Sequence, residues 1–137
     1  FSGLKDPKRS ARRIAKYGLA GWIGIQDTPE EIVRWRGEIQ RELVEMGSSR
    51  SLDDGFDMCS MIWFAITDAP TDQANNGKLS NLLVGTADQI TDNLKRYRDA
   101  GMDMPLLWPP FSGVPVSKTL DDLKQLVEEI MPKVNAA

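Results

Sequence analysis

Short apolar runs alternate with capped, helix-periodic segments along this chain, and no other feature narrows the possible folds as much. Two helix starts are written out plainly. In "TPEE", Thr28 can cap, Pro29 takes the first helical position and Glu31 completes a capping box. In "TADQ", Thr86 and Gln89 make the second box. Behind the first start, Ile32, Trp35, Ile39, Leu43 and Met46 recur by threes and fours until Gly47. Behind the second, Ile90, Leu94 and Tyr97 do the same until Gly101.

Two further helices frame these. Asp6 and Pro7 form a helix start, Ala11, Ile14 and Ala15 share one face, and Gly18 ends the segment. Near the end of the chain Thr119 and Asp122 open a last helix, with Leu120, Leu123, Val127 and Ile130 as its inward face and Pro132 as its stop. The runs between the helices read as strands. "FSG" is the end of one, "GWIGI" the second, "FDMCSMIWFAI" the third and "MPLLW" the fourth. The third is almost continuously apolar, the pattern of a strand covered on both faces. "TDAPTDQANNGKLSN" is a polar loop, and "LLVGT" leads from it into the third helix.

Strands are thus expected near residues 1–3, 21–25, 56–66 and 104–108, and helices near 7–17, 29–46, 87–100 and 120–131. Strand–helix repeated four times implies an α/β fold with a parallel sheet. An open doubly wound sheet and a piece of a (βα)8 barrel both satisfy the pattern. No glycine-rich dinucleotide fingerprint follows the first strand, since "SGLKDPKR" holds one glycine. A whole barrel takes roughly 250 residues, so four units in 137 residues amount to half of one. Residues 1–137 are read as one domain.

Composition removes several chemistries. The chain has no histidine, which excludes the commonest general base and the commonest metal ligand, and no metal site is expected. Cys59 is alone, so no internal disulfide forms, and a reducing, cytoplasmic setting is the simpler expectation. No apolar run is long enough to cross a membrane. Lys5, Lys8, Arg9, Arg12, Arg13 and Lys16 form a basic stripe on the first helix, while the rest of the chain is acidic and the net charge is −3. An acidic body argues against a nucleic-acid partner, and the stripe reads as a solvated helix face. Asp53, Asp54 and Asp57 lack the spacing and closing Glu of a calcium loop and read as a turn.

Three stretches carry a resemblance. "RSARRIAKYGLAGWIGI", "LLVGTADQITDNLKRYRDAGMDMPLLWPPF" and "LDDLKQLVEEIMP" together resemble the C-terminal half of the luciferase-like monooxygenase family. Ala20 stands where the family pattern has Asp before Gly-Trp, and the turn after the first strand carries an extra Leu-Lys-Asp-Pro. The resemblance implies strands five to eight of a flavin-binding barrel that uses FMN or F420 to oxidise or reduce a small organic substrate. It also implies that "FSG" is the top of strand five. The partner is then either the N-terminal half of the barrel or a second copy in a dimer. The chain by itself is expected to be inactive and to bind cofactor weakly or not at all. The alternative is a non-catalytic half-barrel that works by homo-oligomerisation.

Four residues are candidates for cofactor contact. Ser2, Gly3 and Lys5 lie between a strand and a helix N-terminus, where backbone N–H groups, a hydroxyl and an ammonium can hold a phosphate. The resemblance places the flavin phosphate there; otherwise this is a plain strand–helix turn. Gln26 follows "GWIGI" and would lie at the rim where barrel sites form; otherwise it is a turn residue. Trp22, Trp63, Trp108 and Phe111 are aromatic surfaces for a flavin or, at strand positions, core. No catalytic residue follows from the sequence.

Overall fold

A computed structural model of the chain describes residues 7–53, 55–72, 82–109 and 113–136. The expected strand at 1–3 and the Asp6 cap lie outside the described residues. In order, the elements are α1 (Pro7–Tyr17), β1 (Gly21–Ile25), α2 (Pro29–Glu45), β2 (Asp57–Ile66), β3 (Leu83–Gly85), α3 (Ala87–Asp99), β4 (Met104–Trp108), α4 (Val116–Gln125), a π turn (Leu126–Ile130) and α5 (Met131–Asn135). The strands form one sheet in the order β1-β2-β3, with β4 also paired to β2. β1 runs parallel to β2, with Gly21 opposite Asp57 and Ile25 opposite Met61. β3 runs parallel to β2 with Phe64 opposite Leu83 and Ile66 opposite Gly85.

The chain packs as two compact units: residues up to Met61 with Tyr97–Leu106, and Ile62–Arg96 with the residues from Leu107 on. In the first, β1 alternates. Trp22 is buried, while Ile23 and Ile25 stay 44% and 38% exposed. Trp22 lies against Trp35 of α2, ring centres 6.0 Å apart and tilted by 30°. Ile32, Ile39 and Leu43 of α2 and Ala11 and Ile14 of α1 complete this core. Arg12 of α1 binds Glu42 of α2 at 3.0 Å, and Glu42 is otherwise buried. Of the other described residues of the basic stripe, Lys8, Arg9 and Lys16 are exposed and Arg13 is half-buried.

In the second unit, Ile62, Phe64 and Ile66 of β2 are buried with Leu83, Ile90 and Leu94. The opposite face of β2 is not closed as its apolar sequence suggests: Trp63 is 43% exposed. β3 is the element the sequence did not announce. Three residues are too few for a two-residue period to register.

The last helix also departs from expectation. It begins at Val116 rather than near Thr119, with no side-chain cap. Ile130 is buried as expected, but Leu120 and Val127 are exposed, and Asp122, Leu126 and Val134 are buried with Ile130 instead. The physical reason is Asp122. Its carboxylate accepts from the Ile66 N–H at 3.4 Å and pairs with Lys118, whose ammonium also reaches the Ile66 carbonyl at 3.0 Å. That anchors the row 122, 126, 130, 134 inward. A row at spacing four drifts about 40° per step on an α-helix, and the π turn, in which the Met131 N–H bonds the Leu126 carbonyl, absorbs the drift. Pro132 does not end the helix, because it falls in the first turn of α5, where its missing N–H is tolerated.

Candidate functional site

In parallel α/β folds, sites form at the carboxyl ends of strands. The carboxyl end of β1 is where the described polar side chains converge. Gln26 leaves the strand with φ +55°, a left-handed conformation that non-glycine residues seldom adopt. Its N–H still donates to the Met61 carbonyl at 2.8 Å, so it belongs to the ladder while turning the chain. The turn folds Asp27 back over Gly24. A methyl carbon on Gly24 would stand 1.5 Å from Asp27 Oδ2, so the glycine supplies the space that the carboxyl group fills.

Asp27 is tied to three other elements. Its Oδ1 accepts from Trp35 Nε1 of α2 at 3.1 Å, and its Oδ2 accepts from the Ser60 hydroxyl of β2 at 2.9 Å. Its N–H donates to Ser60 Oγ at 3.3 Å, and its carbonyl accepts from the Tyr97 hydroxyl of α3 at 2.9 Å. Thr28 then caps α2, with the full box to Glu31 in place. Burial pushes the Asp27 carboxyl above its ordinary value of 3.8; the bonds from Trp35 and Ser60 oppose this, nearby Glu31 adds to it and Arg34 opposes it. Folding therefore favours the protonated acid. Its contribution to stability is complete below 3.8 and is lost as pH rises through the folded value. Beside this group, the buried Trp22 Nε1 has no hydrogen-bond partner.

The second unit has its own fastening at strand carboxyl ends. Gln89 accepts from the N–H groups of Thr71 and Thr86, both at 3.1 Å, and donates to the Thr71 carbonyl at 3.0 Å. One side chain thus completes the α3 capping box and pins the segment after β2.

Of the residues singled out in the sequence, Ser2, Gly3, Lys5, Asp54 and Phe111 lie outside the described residues. Gln26 is half-buried and directly follows β1. Trp22 is core, while Trp63 and Trp108 are partly open on their strands. Asp53 binds Arg36 at 2.9 Å, an exposed structural pair. Asp27, Ser60 and Tyr97 were missed as a group. The usable signal was Gly24, a glycine inside a strand, which marks a close approach.

Comparison with solved structures identifies the architecture. The chain aligns over 98% of its length with an F420-dependent secondary alcohol dehydrogenase in complex with an F420-acetone adduct, at TM-score 0.67 and 15% identity, covering 48% of that protein. It aligns over 96% of its length with monooxygenase RslO1 from Streptomyces bottropensis, at TM-score 0.66 and 16% identity, covering 46% of it. The fold is half of a luciferase-like barrel. A third match is the oxygenating constituent of 3,6-diketocamphane monooxygenase of Pseudomonas putida, a type II Baeyer-Villiger enzyme in complex with FMN, at TM-score 0.57 and 12% identity, covering 90% of this chain and 45% of that one. The chain therefore spans about half the length of the structures it resembles. No family model matches it, and no curated protein matches it in sequence. Among the described residues no helix is long and apolar enough to cross a membrane, and no three His, Cys, Asp or Glu side chains gather to hold a metal ion.

Proposed function

We propose that this chain is the C-terminal half of a flavin- or F420-dependent luciferase-like oxidoreductase or monooxygenase barrel acting on a small organic substrate. The observation that carries the reading is the match of nearly the whole chain to half of such barrels. The open apolar residues support it. β1 leaves Ile23 and Ile25 uncovered and β4 leaves Met104 half-exposed; in the other unit Trp63 and Trp108 are partly open. Strand faces of this kind are ordinarily closed by further protein.

In this reading FMN or F420 supplies the redox chemistry, and the chain supplies binding. Ser2, Gly3 and Lys5, which lie outside the described residues, would hold the phosphate, and the Gln26 side-chain amide, on a backbone whose N–H bonds the Met61 carbonyl, would offer a donor and an acceptor at the carboxyl end of β1. A single amide does not enclose a cofactor, which needs most of its surface covered. The pocket is therefore completed by four further βα units.

Titration of the 137-residue chain with FMN and with F420, followed by fluorescence, is expected to show weak binding or none. The same chain fused behind the complementary half of the F420-dependent secondary alcohol dehydrogenase is expected to gain cofactor binding. Submicromolar binding by the chain alone, or a folded fusion that binds neither cofactor, would contradict the proposal.

A further inference from the structure

The turn after β1 holds an unsatisfied donor beside an under-supplied acceptor. An ionised carboxylate offers about four acceptor sites. The Asp27 carboxyl receives two donors, Trp35 Nε1 and the Ser60 hydroxyl. Trp22 Nε1, buried and without a partner, is the next donor at hand. The position of a methyl carbon on Gly24 lies 1.5 Å from Asp27 Oδ2 and 3.1 Å from Trp22 Nε1, so the two atoms stand within about 5 Å of each other, with no side chain on Gly24 between them. The charged groups acting on Asp27 are Glu31 and Arg34, both on α2. From β2 and α3 its polar neighbours are the Ser60 and Tyr97 hydroxyls.

We propose that Asp27 is the positioning residue of this turn: on ionising, its carboxylate draws in the Trp22 indole N–H, and the backbone of Gln26 shifts with it. When the group is neutral, Ser60 and Trp35 suffice to hold it. When it is charged, two acceptor sites stand empty on a half-buried carboxylate, and the buried indole N–H satisfies one of them while losing its own deficit. The mechanical link to Gln26 is short. Asp27 is the next residue, and Gln26 is already held in a left-handed conformation by its bond to Met61. The rim of β1 is thereby made sensitive to pH whichever ligand it serves.

The test is a pH titration of the full chain, labelled with nitrogen-15, by two-dimensional NMR. Four tryptophans give four indole signals, and Trp22→Phe identifies one of them. As pH rises, the Trp22 indole proton is expected to move downfield with a midpoint above 3.8, and the Gln26 amide to move with the same midpoint. Asp27→Asn should abolish both shifts. Trp22→Phe should push the Gln26 midpoint higher, because the ion has lost its extra donor. Ser60→Ala also removes a donor, is expected to raise the midpoint too, and serves if Asp27→Asn does not fold. A Trp22 signal that stays flat while Asp27 titrates, a Gln26 amide that does not follow, or a midpoint indifferent to Trp22→Phe would overturn the proposal.

Discussion

Gly24→Ala is expected to lower the stability of the chain by about 3 kcal/mol, combining overpacking of a filled site with the loss of buried hydrogen bonds. The added methyl carbon would lie 1.5 Å from Asp27 Oδ2 and 2.7 Å from its Cγ, distances that no rotation of the methyl group relieves. The carboxyl group must leave. Trp35 Nε1 and the Ser60 hydroxyl then lose their acceptor, and the turn through Gln26 loses what holds it folded back. Urea denaturation followed by far-ultraviolet circular dichroism measures this as a lower midpoint at unchanged slope. Gly37→Ala is the control. Gly37 is an exposed glycine inside α2 with nothing within 4 Å of an added methyl, so this change is expected to stabilise by about 1 kcal/mol through helix propensity. Equal effects at the two positions would show that the Asp27 contact is not the reason for Gly24.

Asp122→Ala is expected to cost about 2–3 kcal/mol, less than the loss of a fully buried ion pair because Lys118 is partly solvated. Asp122 is the charged residue of the last helix that faces inward, and its carboxylate serves both Lys118 and the Ile66 N–H. Without it, the peptide at the end of β2 keeps only the Lys118 ammonium on its carbonyl, and its N–H is left unpaired. The neighbouring Asp121 is exposed, and Asp121→Ala should stay within about 0.5 kcal/mol. An Asp122→Ala variant as stable as the Asp121 one would mean that the inward row of the helix is set by its apolar residues alone.

These two residues also mark where sequence reading stopped. Signals confined to a few adjacent positions were legible. The Thr28–Glu31 and Thr86–Gln89 boxes placed the starts of α2 and α3, and glycines placed their ends, because a cap is satisfied within four residues. What depended on distant partners was not. Asp27 reads in the sequence as a polar residue before a helix, and its burial follows from Ser60, 33 positions on, and from the missing side chain of Gly24. Asp122 reads as the polar side of a helix start, and it turns inward because Ile66, 56 positions earlier, needs a partner. That reversal hid the true face of the last helix, and the π turn then kept the shifted row in place. That Gln26 follows a strand was legible, but its left-handed backbone was not, since nothing in "IQDT" demands it.

Half of a barrel, as proposed above, leaves apolar strand residues for a second body to cover. Burying each large side chain now open, among them Ile23, Ile25, Met104 and Trp63, is worth roughly 1.5–3 kcal/mol. Sedimentation of the 137-residue chain at micromolar concentration, with an apolar fluorescent dye present, tests this most directly. The expected result is a mass above the 15.3 kDa of one chain, or a 15.3 kDa species that binds the dye strongly. A well-behaved 15.3 kDa monomer that binds no dye would contradict it, because its apolar strand faces would then be covered within a single chain.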